Sequence, residues 1–353
     1  MLKDFRLFAG PVWRAADWLF FARFAHMEVR LPAAVVAIAA ALAAPASQSA
    51  PAESAAWPKR PVTIIVPIAA GGGTDLIARA VGEALQEAWQ QPVIIKNQAG
   101  ANGTVGTSMA ARAPADGYTL LVGSQGTFAA NTCLYKLPYD AEKDFTPAAL
   151  FAQFNSVFIV RADSPIQSLS DLVRRARAEP GKLTYGITVV GSSAHLGLEM
   201  FKSRASINVL GIPYNGSGPA SVDLFGGRLD FMLDAINSQY GNIAAGKVRA
   251  LASTAAIRST ALPDVPTVAE EGYPGFDAVG WAGLYVPAGT PQPIIDKIAR
   301  TVTEVFATGE LQRKLGNKGF EFITTDPQAF AAYDKSERKK WCDVIQQAHI
   351  KLE

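Results

Sequence analysis

The chain has 353 residues, 49% hydrophobic and 18% charged, with 33 Lys and Arg against 31 Asp and Glu for a formal net charge of +2. That length suits two globular domains, and a charge so near balance leaves no basic surplus for a phosphate backbone, so no nucleic-acid partner is expected. Two cysteines, Cys133 and Cys342, rule out a disulfide framework and a Cys-based zinc site.

The first 56 residues differ from the rest. Glu28-Val29-Arg30 precede an apolar, Ala-rich stretch from Leu31 to Ala46 and a small, polar run from Ser47 to Ala56. This is the order of a signal peptide, and the apolar run is shorter than the roughly 20 residues that span a bilayer. Met27 is the expected start, with residues 1–26 an upstream extension; a long n-region or an amphipathic anchor is the alternative for Trp13, Trp18, Phe20, Phe21 and Phe24. The expected location is the periplasm, with the mature chain beginning near Trp57.

From there strand-like and helix-like runs alternate, which predicts parallel sheets with crossover helices. Val62–Pro67 reads as a strand, Gly71-Gly72-Gly73 as a loop, and Ile77, Val81, Leu85 and Trp89 as one face of a helix opened by Asp75. Val93–Lys96 and Tyr118–Gly123 read as strands, and Val157–Val160 as the strand that leaves the first lobe. A second series follows: helix 171–178, strand 183–186, helix 195–202, strand 209–213, helix 219–225, strand 229–233 and strand 250–254. The Pro/Gly-rich stretch from Leu262 to Gly275 is read as the crossing back. The expected domains are thus 57–160 with 276–353, and 161–275.

Templates for enzymes fail on spacing. There is no G-x-S-x-G, H-E-x-x-H or G-x-G-x-x-G after a strand, and Ser217 stands where a P-loop after Gly211 and Gly216 needs lysine. No catalytic residue, metal or cofactor is expected. Two small-residue loops between a strand and a helix start offer something else: unpaired N–H groups and a partial positive charge suited to an anion. The first is Ile68, Ala69, Ala70, Gly71, Gly72, Gly73, Thr74 and Asp75, where Thr74 or Asp75 can cap the helix. The second runs from Thr188 through Gly191, Ser192 and Ser193 to His195. One loop per lobe would grip a carboxylate from both sides, at the strand ends where open α/β sheets bind ligands. His195 reads as a helix-start or packing residue, not a metal ligand. Asp234, at the end of its strand, either accepts from the ligand or caps the next turn. Ser124 and Thr127 stand in the same position after their own strand, as candidate donors. Cys133 and Cys342 either pair after export or pack as small apolar residues.

Four stretches carry a resemblance to a known family, the Bug proteins, which are TctC-like receptors of tripartite tricarboxylate transporters. They are Arg60–Pro67 with Gly-Gly-Gly-Thr-Asp; Ala115–Leu121 with Leu137–Asp140 and Lys143–Phe145; Pro213–Ala220 with Gly226-Gly227 and Asp234; and Leu262–Glu270 with Gly272–Phe276 and Val286–Pro291. The resemblance implies a two-lobed periplasmic binding protein of the Venus-flytrap type, each lobe a sheet flanked by helices. It also implies that the first-strand loop and the Gly-Ser-Ser loop pinch a small organic carboxylate, which is delivered to integral membrane transporter subunits. A ligand-loaded co-receptor for a membrane sensor kinase is the alternative output. The chain departs from the family in Ile68, Ala69 and Ala70, where aromatic and proline residues are common, and in Val189-Val190, where Gly-Asn is common; a less aromatic, more apolar pocket follows.

Overall fold

The computed structural model describes residues 56–71, 73–315 and 319–350. The expected signal peptide lies outside the described residues. Strand β1 (Val62–Val66) is a β-branched run with all but Thr63 buried, as a strand covered on both faces requires. Helix α1 (Gly73–Trp89) follows, and Ile77, Val81, Leu85 and Trp89 form its buried stripe. Burying each of these aliphatic side chains stabilises the lobe by roughly 1.5–3 kcal/mol. The indole of Trp89 donates to the Thr301 hydroxyl, fixing α1 against α8 (Gln292–Ala307) at 3.0 Å.

The first sheet contains β2 (Val93–Asn97), β3 (Thr119–Ser124), β4 (Phe145–Phe154), β10 (Gly280–Pro287) and β11 (Phe320–Glu321), in the order β11-β4-β10-β3-β1-β2. The second orders β5 (Ser156–Arg161), β6 (Thr184–Ile187), β7 (Leu210–Pro213), β8 (Phe231–Ala235) and β9 (Val248–Ser253) as β7-β6-β8-β5-β9. Both sheets are mixed where parallel ones were expected. β10 runs antiparallel to β3 and β4, and β5 antiparallel to β8 and β9. The cause is the crossing itself: a chain that leaves one sheet at an edge and enters the next at that edge must run away from it. Val157–Val160, expected to leave the first lobe, belongs to the second sheet.

Asn155 alone separates β4 from β5. Its carbonyl accepts from Ile236 N–H at 2.9 Å, at the start of α7 (Ile236–Ala244). The return begins after β9. Thr254 Oγ1 accepts from Ser156 N–H at 3.1 Å, and Thr254 O accepts from Ala278 N–H at 2.9 Å, so the outgoing and returning segments are bonded side by side. Register places the ends of β3, β4 and β8 and the starts of β5 and β10 together: Ser124 opposes Ala282, Phe154 opposes Gly280 and Ser156 opposes Ala235.

One apolar cluster contains Phe128, Tyr285, Phe330, Trp281 and Trp341 of the first lobe with Phe158, Phe201 and Phe231 of the second, and Phe276. The C-terminal helix α10 (Pro327–Gln347) closes it, capped by Asp326 Oδ1 accepting from Ala329 N–H at 2.7 Å. A disulfide joins Cys342 of this helix to Cys133 in the short helix α3 (Asn131–Leu134). Of the two alternatives left open for the cysteines, pairing is the one found. No helix among the described residues is long and apolar enough to cross a membrane.

Candidate functional site

The loop after β1 is held from below. Asp75 is buried, and its Oδ2 accepts from Gly71 N–H at 2.8 Å and from Arg79 Nε at 3.0 Å, while Oδ1 accepts from Asn97 Nδ2 at 2.8 Å. Asn97, the last residue of β2, also donates to Ile68 O at 3.3 Å. Burial alone would raise the Asp75 carboxyl, but the donors Gly71, Arg79 and Asn97 overcome it and hold it below the usual carboxylate range. With its oxygens engaged by the chain, Asp75 shapes the loop. Gly71 has φ +92° and open space around the position of a Cβ, a conformation suited to glycine. Ala69 and Ala70 are exposed, while Ile68, Gly73 and Thr74 are half-buried. Gly72 lies outside the described residues.

The loop after β6 is built in the same way. Gly191 (φ +81°) donates its N–H to His195 Nδ1 at 3.2 Å, and Ser192 caps α5 (Ser193–Ala205) by accepting from His195 N–H at 3.2 Å. Burial, opposed by Glu199, pushes the His195 imidazole down. With Nδ1 an acceptor, the ring is neutral and carries its proton on Nε2. Thr188 Oγ1 lies 3.5 Å from Asp234 Oδ1 at the end of β8, and Gln239 Nε2 donates to Asp234 Oδ2 at 2.7 Å. Burial pushes the Asp234 carboxyl up, against Gln239, Ser217, the Ala235 N–H and Thr188. Val189 and Val190 are exposed at the tip.

Ser124 and Thr127 cap each other's backbone. Thr127 N–H donates to Ser124 Oγ at 3.4 Å and Ser124 N–H to Thr127 Oγ1 at 3.0 Å. By contrast, the hydroxyls of Thr74 and Ser193 make no hydrogen bond among the described residues.

These groups converge on the edge where the sheets meet. β3 pairs parallel with β1, Leu121 opposite Ile65, which sets the Ser124 turn beside the first loop. β6 pairs parallel with β8, which sets the second loop beside Asp234. Across the two lobes, a Cβ on Gly73 would lie 3.0 Å from Asn237 Nδ2, one on Gly191 3.1 Å from Leu134 Cδ1, and one on Gly280 2.8 Å from Ser193 Oγ. Leu134, Asn237 and Gly280 are thus contact residues that the sequence reading missed; α7 has no clear stripe of its own to announce Asn237. A groove of about 390 Å³ between the end of α5 and α10, lined by Lys202, Arg204 and Lys340 among others, contains none of the loop residues.

A family model described as Tripartite tricarboxylate transporter family receptor matches residues 77–350. The protein BugT of Bordetella pertussis is 33% identical over 320 residues, covering 90% of this chain and 98% of its own. Among solved structures, Rpa4515 of R. palustris with adipate is 35% identical with a TM-score of 0.74, covering 84% of this chain and 99% of its own. MatC from Rhodopseudomonas palustris with bound malate is 33% identical with a TM-score of 0.69, covering 82% of this chain and 100% of its own. The chain therefore belongs to the tripartite tricarboxylate transporter receptor family, as a two-lobed periplasmic solute-binding protein and not an enzyme.

Proposed function

We propose that this protein captures a small organic carboxylate between the loop 68–75 and the loop 188–195 and delivers it to the integral membrane subunits of a tripartite tricarboxylate-type transporter. The observation that carries this reading is the pairing of two like loops, one per sheet, at one shared edge, where the Ser193 and Thr74 hydroxyls have no hydrogen-bond partner among the described residues. Each loop stands at the N-terminus of a long helix, where N–H groups and the macrodipole favour a negative charge. Asp75 and His195 keep the two loops in shape from behind, and Asp234 is placed to accept from a hydroxyl or amino group on the same ligand. Adipate and malate in the relatives Rpa4515 and MatC support a ligand of this class.

In this reading the lobes divide at Asn155 and at the pair Thr254 and Ala278, and not at 160, because Ser156–Arg161 belongs to the second sheet. The N-terminal stretch acts as an export signal and is removed. Titration calorimetry with adipate, malate, citrate and an aromatic acid tests capture: one of them binds with unit stoichiometry and without product. Uptake into vesicles holding the two membrane subunits, with and without this protein, tests delivery. No binding to any such acid would end the carboxylate reading, and uptake independent of the protein would end the delivery reading.

A further inference from the structure

Glu321 sits in β11, the two-residue strand at the edge of the first sheet, opposite Gln153 of β4 and so close to Asn155, where the lobes divide. Its carboxylate reaches out of its own lobe. Ser259 Oγ donates to Oε1 at 2.9 Å, Thr260 N–H at 2.9 Å and Thr260 Oγ1 at 3.2 Å, and Oε2 lies 3.2 Å from the same threonine hydroxyl. Ser259 and Thr260 follow β9, in the second lobe. Among the described residues, the other side-chain hydrogen bond between the lobes is Lys340 Nζ to Asp277 O at 3.3 Å, next to Ala278 where the chain crosses back.

The surroundings of the clasp tie it to the site. A Cβ on Gly319 would lie 2.4 Å from Ile236 Cγ2 and 3.0 Å from Asn237 N, at the start of α7. One on Gly73, in the first loop, would lie 3.0 Å from Asn237 Nδ2 and 3.6 Å from Phe320. The strap 319–321, the first turn of α7 and the first loop therefore meet at one place. On its own side β11 is held by pairing with β4 and by Phe320 packing edge-on against Phe154, ring centroids 5.9 Å apart. Three donors of one lobe converge on one carboxylate of the other, so a rotation of the lobes breaks them together, since a donor beyond roughly 3.5 Å no longer bonds. We propose that Glu321 is a positioning residue for closure: it touches no ligand, and it latches the second lobe onto the first so that the loops 68–75 and 188–195 face each other before a ligand arrives. This rests on the division into lobes given above and not on the identity of the ligand. A receptor binds more weakly in proportion as its competent arrangement is less populated, and the latch raises that population.

The test is small-angle X-ray scattering on the unliganded parent, Glu321→Ala, Glu321→Gln and the pair Ser259→Ala with Thr260→Val, joined to stopped-flow release of adipate and malate. Glu321→Ala raises the radius of gyration. Glu321→Gln, whose carbonyl still accepts, keeps the parental value, and the paired variant reproduces the alanine result from the other lobe with Glu321 in place. Thr260 is exposed and Glu321 half-buried, so water competes for the clasp. Release from Glu321→Ala is then faster by roughly 10-fold, the low end for hydrogen bonds to a charged group. Saturating ligand restores the parental radius, which a merely local role for Glu321 would not require. A parental radius in unliganded, folded Glu321→Ala overturns the proposal; if that variant fails to fold, a parental radius in the paired variant does the same. Should neither acid bind, the carboxylate reading loses its support while the scattering comparison still decides the latch.

Discussion

Ser193 stands in the first turn of α5, half-buried against the backbone of Gly280, with a hydroxyl that has no hydrogen-bond partner among the described residues. Replacing it with alanine removes one donor and leaves the Ser192 cap intact. Ser193→Ala is expected to weaken carboxylate binding by about 1.5–3 kcal/mol, or ~10- to 100-fold, with the melting temperature hardly changed; calorimetry and a thermal melt check it. Asp75 acts differently. Because its carboxyl is held below its unfolded value of about 4, it adds stability above that pH and loses it as pH falls through the lower, folded value. Asp75→Asn should therefore be less stable than the parent at neutral pH, and the gap should narrow on acidification below about pH 4 in denaturant titrations. A gap that stayed constant would deny the carboxylate its role in shaping the first loop.

Among the elements, the disulfide between α3 and α10 closes a loop with a sequence separation of 209. Loop-closure entropy sets an upper value of about 5 kcal/mol for its contribution. Cys133 also adjoins Leu134, which touches Gly191 of the second loop. Cys133→Ser with Cys342→Ser is expected to lower Tm by up to roughly 10 °C and to weaken ligand binding slightly; unchanged melting would show that packing alone fixes α10. The pairing itself was open from sequence, since nothing in 209 residues of separation says that two segments meet. The strand and helix runs were legible because their apolar residues keep a period: the stripe of α1 and the unbroken run of β1 needed no partner to be recognised. β4, β10 and α7 were not legible. β10 is apolar throughout, which fits strand or buried helix alike, and its place between β3 and β4 is a long-range fact. The two loops could be read from their glycines and hydroxyls, whereas the contacts that Leu134 and Asn237 make across the lobes follow from their surroundings and not from their residue types.

For the molecule as a whole, the lobes touch at Gly73, Gly191, Gly280 and Gly319, places where a side chain would intrude. Gly280→Ala puts a methyl 2.8 Å from Ser193 Oγ and is expected to hinder closure, weakening binding several-fold. Adding Ser193→Ala relieves the crowding, so the double variant should bind more tightly than the sum of the two single losses implies. Strict additivity would mean that the two lobes do not approach there when the ligand is bound. In cells, N-terminal sequencing of the periplasmic form should show a chain lacking at least residues 1–46.

The position of β10 also bears on how the chain is made. It fills the gap between β3 and β4, yet it is synthesised after the entire second lobe. A nascent polypeptide that stops short of Gly280 holds a first sheet in two unconnected parts, and such a chain has little to fold into. Truncation before Gly280 should leave the first lobe without a cooperative transition in circular dichroism. That delay suits a protein destined for secretion, because a precursor that stays pliable until nearly complete remains threadable through a translocation pore.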